Sequence, residues 1–322
     1  MQSQPSNKQP PKGWTIGITV SRLRIGLKRI INYGAAWLGW VHGGRNPISG
    51  LRILLYHRVN PYPFDQLSMT SREISVAPEQ FEQQLAYLQS AGFKAIGLDL
   101  LERFLSGKES VDKKCVLITF DDGYEDNLLW AAPLLKKYGF TAVFLVVSGF
   151  MEQGVAENLW YEEGSPEEYR KFLVWQQVKA LKDMGFGIGS HSVSHSDLNQ
   201  LNAEDLQLEL QSSKVIMEKN LGISVTSLAY PRGIYNDQII LAAQNAGYQT
   251  AFTTEPGINP QNMSTMALHR TEISASDTLF LFKQKMAGNL DWFDFKKLVG
   301  VRTLIDRINK FFIFTLQNKK KG

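Results

Sequence analysis

The 322-residue chain has little cysteine, no long apolar run and no acidic residue in its first fifty positions. Its one cysteine, Cys115, excludes an internal disulfide and lies in an apolar segment, where burial as a small hydrophobic side chain is expected. No stretch reaches the roughly 18 apolar residues of a membrane-spanning helix. With 12 prolines and 43% hydrophobic residues, the composition excludes a collagenous or disordered chain and fits a folded domain.

Positive charge is concentrated at the two ends of the chain. Residues 1–50 carry seven Lys/Arg and no Asp/Glu, and residues 295–322 carry eight Lys/Arg and one acid. The middle of the chain is acidic, with 20 basic and 30 acidic residues over 51–294. We therefore divide the chain into a basic arm with an amphipathic helix (1–50), a catalytic domain (51–275) and a basic, aromatic C-terminal extension (276–322).

Both basic ends also contain apolar residues. We therefore predict an anionic membrane surface as a partner of these ends, and no nucleic-acid partner. After a flexible arm over 1–18, residues 19–42 predict a helix with one apolar face, with Trp37 and Trp40 at its far end. This composition is typical of a helix in a membrane interface, and packing on the protein's own surface is the alternative. Aromatic residues and a lysine run are similarly mixed over 310–321. We expect a peripheral location at a membrane or cell envelope, without a transmembrane helix or a clear signal peptide.

From residue 52 onward, short apolar runs alternate with segments of helical periodicity. Strands predicted near 52–56, 94–97, 116–120, 141–147, 185–189, 227–230 and 249–253 are separated by helices. This alternation predicts an α/β fold with a parallel sheet, in the form of an incomplete or distorted (β/α) barrel of about seven strands. In such a barrel the chemistry lies at the carboxyl ends of the strands.

An acid pair, Asp121 and Asp122, directly follows the predicted strand 116–120. Two adjacent acids after a buried apolar run are costly without metal or hydrogen-bond partners, although an Asp-Asp-Gly sequence can also be a simple turn. Neighbouring side chains of an extended chain point to opposite sides, so the two acids can differ in role. One would bind a metal and the other would face the substrate water.

Two further motifs follow predicted strands. The imidazoles of His191 and His195 are four residues apart and can converge on one ion in a helix or a tight loop. Two histidines and one carboxylate would leave coordination positions open, which is typical of a catalytic metal. A rigid turn that can present backbone N–H groups to an oxyanion is formed by Tyr230, Pro231, Arg232 and Gly233.

These motifs, Thr-Phe-Asp-Asp-Gly over 119–123 and His-Ser-Val-Ser-His over 191–195, resemble those of the polysaccharide deacetylases with a NodB homology domain. The resemblance covers roughly 50–275. The Leu-Leu-Tyr-His-Arg-Val run over 54–59 is similar to the branch that deacetylates poly-N-acetylglucosamine. The resemblance implies a barrel of the NodB type and removal of acetyl groups from the N-acetylated sugars of a glycan.

The resemblance also implies roles for individual residues. Asp121 would be the general base, and Asp122, His191 and His195 would bind a divalent metal that activates water. Zinc is expected, with cobalt, nickel or manganese as alternatives. The backbone N–H of Arg232 would face the oxyanion.

Two positions depart from the family pattern. The arginine that holds the base in many members is replaced by Ala229, and the Asp and Trp of the fourth motif have no clear counterpart over 247–257. Two histidines remain candidates for the acid that protonates the leaving amine: His269, which follows Leu268 in a Leu-Xaa-His-like motif, and His57 at the end of the first strand. These departures leave two alternatives open, a carbohydrate-binding protein with impaired catalysis and a related hydrolase of cyclic amides or O-acetyl esters.

Overall fold

The protein was analysed as a computed structural model, which describes residues 12–42, 50–154 and 165–293. Ten strands lie in these ranges: β1 (Arg52–Tyr56), β2 (Arg58–Val59), β3 (Ser75–Val76), β4 (Lys94–Ala95), β5 (Cys115–Phe120), β6 (Val143–Val146), β7 (Gly187–Ser190), β8 (Ser227–Ala229), β9 (Thr250–Phe252) and β10 (Thr271–Glu272). The α-helices there are α1 (Lys12–His42), α2 (Met69–Ile74), α3 (Pro78–Ser90), α4 (Leu98–Leu105), α5 (Ala132–Lys137), α6 (Trp175–Asp183), α7 (Ala203–Leu221), α8 (Asp237–Asn245) and α9 (Leu279–Met286).

The main sheet is parallel and curled, with seven strands in the order β10-β1-β5-β6-β7-β8-β9, and β4 pairs with the start of β5. The chain that leads into β10, at one end of this path, also contacts β9 at the other end. Leu268 bridges Phe252 of β9, and Thr271 pairs with Leu54 of β1. The predicted α/β barrel of about seven parallel strands is therefore confirmed. The short strands β2, β3 and β10 escaped prediction because two residues carry no periodic signal.

The strand alternation separates two apolar clusters. The inner cluster combines residues such as Ile53, Leu117 and Leu268 with Leu101 and Phe104 of α4, which lies against the end of the barrel where the strands begin. The outer cluster packs the opposite strand faces against the helices. Since the inner cluster fills the start of the barrel, the carboxyl ends of the strands are left for polar groups.

Helix α1 differs from its prediction in two ways. It begins at Lys12, directly after Pro11, so the arm predicted over 1–18 is helical from residue 12 onward. A proline just ahead of the first turn is compatible with helix initiation. Its side chains Ala35 and Ala36 pack with Leu281 and Leu290. This contact corresponds to the alternative prediction, in which the helix packs on the protein's own surface. Within the described ranges, no helix is long and apolar enough to cross a membrane.

The predicted C-terminal extension is described only in part. Its first helix, α9, packs against α1 and α3, whereas the aromatic and lysine-rich run over 310–321 lies outside the described residues. The boundaries at 50 and 275 therefore stay predictions.

Candidate active site

Three loops at the carboxyl ends of β5, β7 and β8 form a buried polar site. Each contains residues with positive φ, a conformation that costs non-glycine residues about 1–3 kcal/mol and tends to mark functional loops. Among the described residues, the non-glycine positions with positive φ are all here: Asp122 (71°), Ser192 (68°), His195 (59°) and Arg232 (57°).

The left-handed turn at Asp122 corrects one step of the sequence reasoning. In an extended chain the side chains of Asp121 and Asp122 would point to opposite sides. The turn instead brings both to His191, whose Nε2 lies 3.9 Å from Oδ2 of Asp121 and 3.4 Å from Oδ1 of Asp122. The two acids therefore face the same imidazole and can act on the same reacting group.

The donor atoms of Asp122, His191 and His195 lie within 4.8 Å of one another. Oδ1 of Asp122 is 3.4 Å from Nε2 of each histidine. The Nδ1 of His191 donates a hydrogen bond to the carbonyl oxygen of Ala229 at 2.9 Å, so in the neutral imidazole the proton lies on Nδ1 and the lone pair of Nε2 faces Asp122. Two imidazole nitrogens and one carboxylate oxygen suit a divalent transition metal with open positions.

The ionisation of the site follows from burial and from its own charges. Burial has the largest effect on Asp122 and would raise its pKa, but His191, His195 and His57 outweigh it and hold that pKa well below its usual value. Burial lowers the pKa of His195 to about 4, so this imidazole is neutral at neutral pH and able to bind a metal. For His191, burial would lower the pKa, but Asp121 and Asp122 outweigh it and raise the pKa.

Asp121 is held by an arginine that the sequence analysis did not identify. Arg270 binds both carboxylate oxygens, at 2.6 Å and 2.7 Å, and its Nε donates to the carbonyl oxygen of Thr253. Both side chains are almost fully buried. Burial would raise the pKa of Asp121, yet Arg270, His191 and His57 lower it, so the carboxylate is ionised. The arginine missing at Ala229 is thus replaced in space by one from the segment before β10.

The two histidines proposed as the acid occupy different places. His57 follows β1 and influences both aspartates electrostatically, and its buried Nδ1 has no hydrogen-bond partner among the described residues. His269 lies between Leu268 and Arg270, which both point into the barrel. Its side chain points the other way, and its Nδ1 lies 3.2 Å from the carbonyl oxygen of Pro256. The structure therefore places His57, but not His269, beside the acid pair.

The predicted oxyanion turn is a single 3₁₀ turn over Pro231–Gly233. The Tyr230 side chain leaves the site, because its hydroxyl donates to the carbonyl oxygen of Met266 and its ring stacks on Tyr235. Only the backbone of this turn is thus placed to serve the site. The Arg232 guanidinium pairs with Asp197 at 3.2 Å, which ties the turn to the loop that follows His195.

A glutamate on α7 fixes the histidine loop. Oε1 of Glu209 accepts from the backbone N–H of Val193 at 3.0 Å, and from the N–H and hydroxyl of Ser194 at 2.6 Å and 2.9 Å. These bonds hold the strained backbone between His191 and His195, so Glu209 supports the geometry of the candidate metal site from outside it.

Comparison with known proteins agrees with this geometry. The sequence model of the family described as polysaccharide deacetylase matches residues 108–251. YxkH of Bacillus subtilis (strain 168), which carries the name of a polysaccharide deacetylase, is 31% identical over 224 residues, covering 70% of this chain and 71% of that protein. The chain therefore belongs to the polysaccharide deacetylase family.

Two further proteins, one compared by sequence and one by structure, are also similar to this chain. The poly-beta-1,6-N-acetyl-D-glucosamine N-deacetylase of Staphylococcus aureus (strain MRSA252) is 28% identical over 69% of this chain and 78% of that protein. The structure of the Streptococcus pyogenes deacetylase PplD in complex with acetate superposes with a TM-score of 0.64 at 29% identity. That superposition covers 75% of this chain and 99% of PplD, so the fold is shared across the whole of that chain.

Proposed function

We propose that this protein is a metal-dependent hydrolase that removes acetyl groups from N-acetylated sugars of a poly- or oligosaccharide or of a glycan precursor. One observation carries the proposal: a buried, arginine-held carboxylate, Asp121, lies beside the cluster of Asp122, His191 and His195 at the carboxyl ends of the barrel strands. A general base next to a cation site is the arrangement that amide hydrolysis needs.

Asp122, His191 and His195 would hold the divalent metal, for which we expect zinc, with cobalt, nickel or manganese as alternatives. When bound, such an ion supplies Lewis acidity that polarises a carbonyl and lowers the pKa of water. The protein's own groups prepare the site for it. The hydrogen bond from His191 to Ala229 fixes the tautomer, and the low pKa of His195 keeps that imidazole neutral.

Asp121 would take a proton from the attacking water, since its carboxylate is ionised and already oriented by Arg270. His57 would give a proton to the leaving amine, because it lies close enough to lower the pKa of both aspartates and its buried Nδ1 has no hydrogen-bond partner among the described residues. The backbone N–H of Arg232 would stabilise the oxyanion. In this scheme His57, and not His269, is the general acid.

An N-acetylated glycan is the proposed substrate because of two relatives. The S. aureus relative is named for poly-beta-1,6-N-acetyl-D-glucosamine, and PplD was solved with acetate, which is the acid that deacetylation releases. Arg270 also weakens the alternative of a carbohydrate-binding protein with impaired catalysis, because the loss of the arginine at Ala229 was one support for it.

An acetate-release assay tests this function. The wild-type protein would be stripped of metal, reloaded with zinc, cobalt, nickel or manganese, and given N-acetylglucosamine oligomers and O-acetylated glycans. We expect metal-dependent release of acetate in equal amount to new free amine from the N-acetylated oligomers. Release from O-acetyl esters alone would identify a related ester hydrolase, and saccharide binding without release from any glycan would identify a binding protein.

A further inference from the structure

Helix α1 differs from an ordinary surface helix in which of its faces is turned toward the domain. The face toward the domain is small and polar, with Ser21, Asn32 and Ala35 buried. Gly39 lies on the same face, where an added Cβ would be 1.9 Å from the carbonyl oxygen of Asn289. These positions recur at helical intervals, so small and polar residues form much of the face that contacts the domain, together with Val20 and Ala36.

The basic residues of α1 take part in the same contact. Arg24 pairs with Glu73 at 3.0 Å, and Arg29 donates to the carbonyl oxygen of Ser276 at 3.2 Å. Lys28 approaches the hydroxyl of Ser274 at 3.4 Å. Five basic residues and no acid lie in the helix, so it keeps a net positive charge after its pairing with Glu73.

The opposite face is apolar and points away from the domain. Leu23, Ile30, Trp37 and Val41 are 51%, 70%, 62% and 45% exposed, and their spacing of seven, seven and four residues places them in one stripe. We call these four residues the outer stripe. It is about 27 Å long at 1.5 Å per residue. A contiguous exposed apolar patch of this kind marks an interaction surface rather than a scatter of surface residues.

We propose that the outer stripe docks the protein on an anionic lipid bilayer, with α1 lying in the plane of the membrane surface. Positive charge without any acid over residues 1–50 complements an anionic leaflet. Trp37 and the neighbouring Trp40, which is 66% exposed, have amphipathic rings that suit the headgroup region. A second copy of the chain is disfavoured, because its α1 would bring like charge against like charge. The docking does not depend on the proposed deacetylase chemistry.

The test uses the full chain and vesicles of phosphatidylcholine with about 30% phosphatidylglycerol, whose headgroup is anionic and attracts basic segments. The double variant Ile30→Glu, Trp37→Glu places charge on the outer stripe, and we expect its partition coefficient in cosedimentation to fall at least about tenfold. The matched control is Leu208→Glu, Leu241→Glu, which charges two similarly exposed apolar residues of α7 and α8. The control should sediment as the wild type does.

Two further readouts separate the outcomes. Acetate release from a soluble N-acetylglucosamine oligomer should be the same in all three proteins, and its absence in all three would contradict the proposed function but not the docking. Equal sedimentation of the stripe variant and the wild type would overturn the docking. It would also be overturned if light scattering showed a wild-type dimer that the stripe variant dissociates, without vesicle binding. Equal binding to pure phosphatidylcholine would overturn the requirement for anionic lipid.

Discussion

Two nearby aspartates of this chain, Asp121 and Asp126, are buried and paired with an arginine. The two pairs differ in the other groups that the carboxylates contact. Asp121 is bound by Arg270 and also faces His191, with its Oδ2 3.9 Å from Nε2. Asp126 is bound by Arg58 at 2.7 Å, and its oxygens also accept from Asn60 and from the backbone of Val59. The first carboxylate faces the candidate metal cluster of Asp122, His191 and His195, whereas the second is enclosed by protein donors.

The pKa directions of the two aspartates follow this difference. Burial would raise both. At Asp121 the charges of Arg270, His191 and His57 outweigh burial and lower the pKa. At Asp126 burial outweighs Arg58 and the surrounding hydrogen bonds, and the pKa is raised. We therefore expect the same pair of residue types to serve catalysis at one position and stability at the other, according to which additional charges lie near the carboxylate.

The largest expected effect on stability comes from Asp126→Asn. Removing this charge leaves Arg58 buried without its partner, which costs about 3–5 kcal/mol in the free energy of unfolding. Activity per folded molecule should stay within about twofold, since general acid–base groups, not structural pairs, carry the larger effects. Urea unfolding combined with acetate release measures both quantities. A hundredfold loss of activity in the folded variant would show that Asp126 acts in the reaction.

His57 immediately precedes Arg58 in the chain, but it acts electrostatically on Asp121, which belongs to the pair with Arg270. We expect His57→Gln to lower kcat by about 10²–10⁴-fold through loss of the proton donor, while His269→Gln stays near wild type. Rates on N-acetylated oligomers, measured for both variants and the wild type under the same conditions, check this ranking. The opposite ranking of the two variants would restore His269 as the acid.

Arg270→Met removes the charge that lowers the pKa of Asp121. Burial would then dominate and raise that pKa, so the acid limb of kcat/KM should move to higher pH, with a rate loss of about tenfold or more at neutral pH. Arg270→Lys retains a positive charge and should shift the limb less. Arg58→Met serves as the control, because it should destabilise the protein without moving the limb. An unchanged acid limb in Arg270→Met would contradict the proposed positioning.

The smallest of these effects concerns the support of the histidine loop by Glu209. Glu209→Ala should weaken metal binding by about tenfold or more, as is typical when an outer support of a metal site is lost. Glu209→Gln keeps an Oε1 acceptor for the same donors and should retain most of the affinity. Competition with a chelator of known affinity measures both variants. Equal affinities in the alanine and glutamine variants would show that these hydrogen bonds do not position the site.

The local motifs could be predicted from the sequence, but the partners that hold them could not. Asp122, His191 and His195 were identifiable because each follows an apolar strand in a short motif. Arg270 is 149 residues from Asp121 and lies in no such motif. Its role could have been suspected only from the alternation in the last segment, where Leu268 and Arg270 point inward and His269 points outward.

Two further differences have the same physical origin. An acid just ahead of a helix often caps it, yet Asp126 makes no such side-chain bond, because Arg58 from a distant strand binds its carboxylate. The helix over 19–42 was predicted to lie in a membrane interface or on the protein's own surface, and ion pairs and hydrogen bonds hold its basic residues on the domain. In both cases a long-range partner competes with a local preference, and sequence periodicity carries no information about that partner.

The most direct test of the central claim is the rate of acetate release by Asp121→Asn, measured together with the metal content of the same sample. Asparagine keeps the shape of the side chain but cannot act as the base. We predict a folded protein with wild-type metal occupancy and a rate reduced by about 10²–10⁴-fold. Turnover at the wild-type rate in a metal-loaded sample would contradict the account.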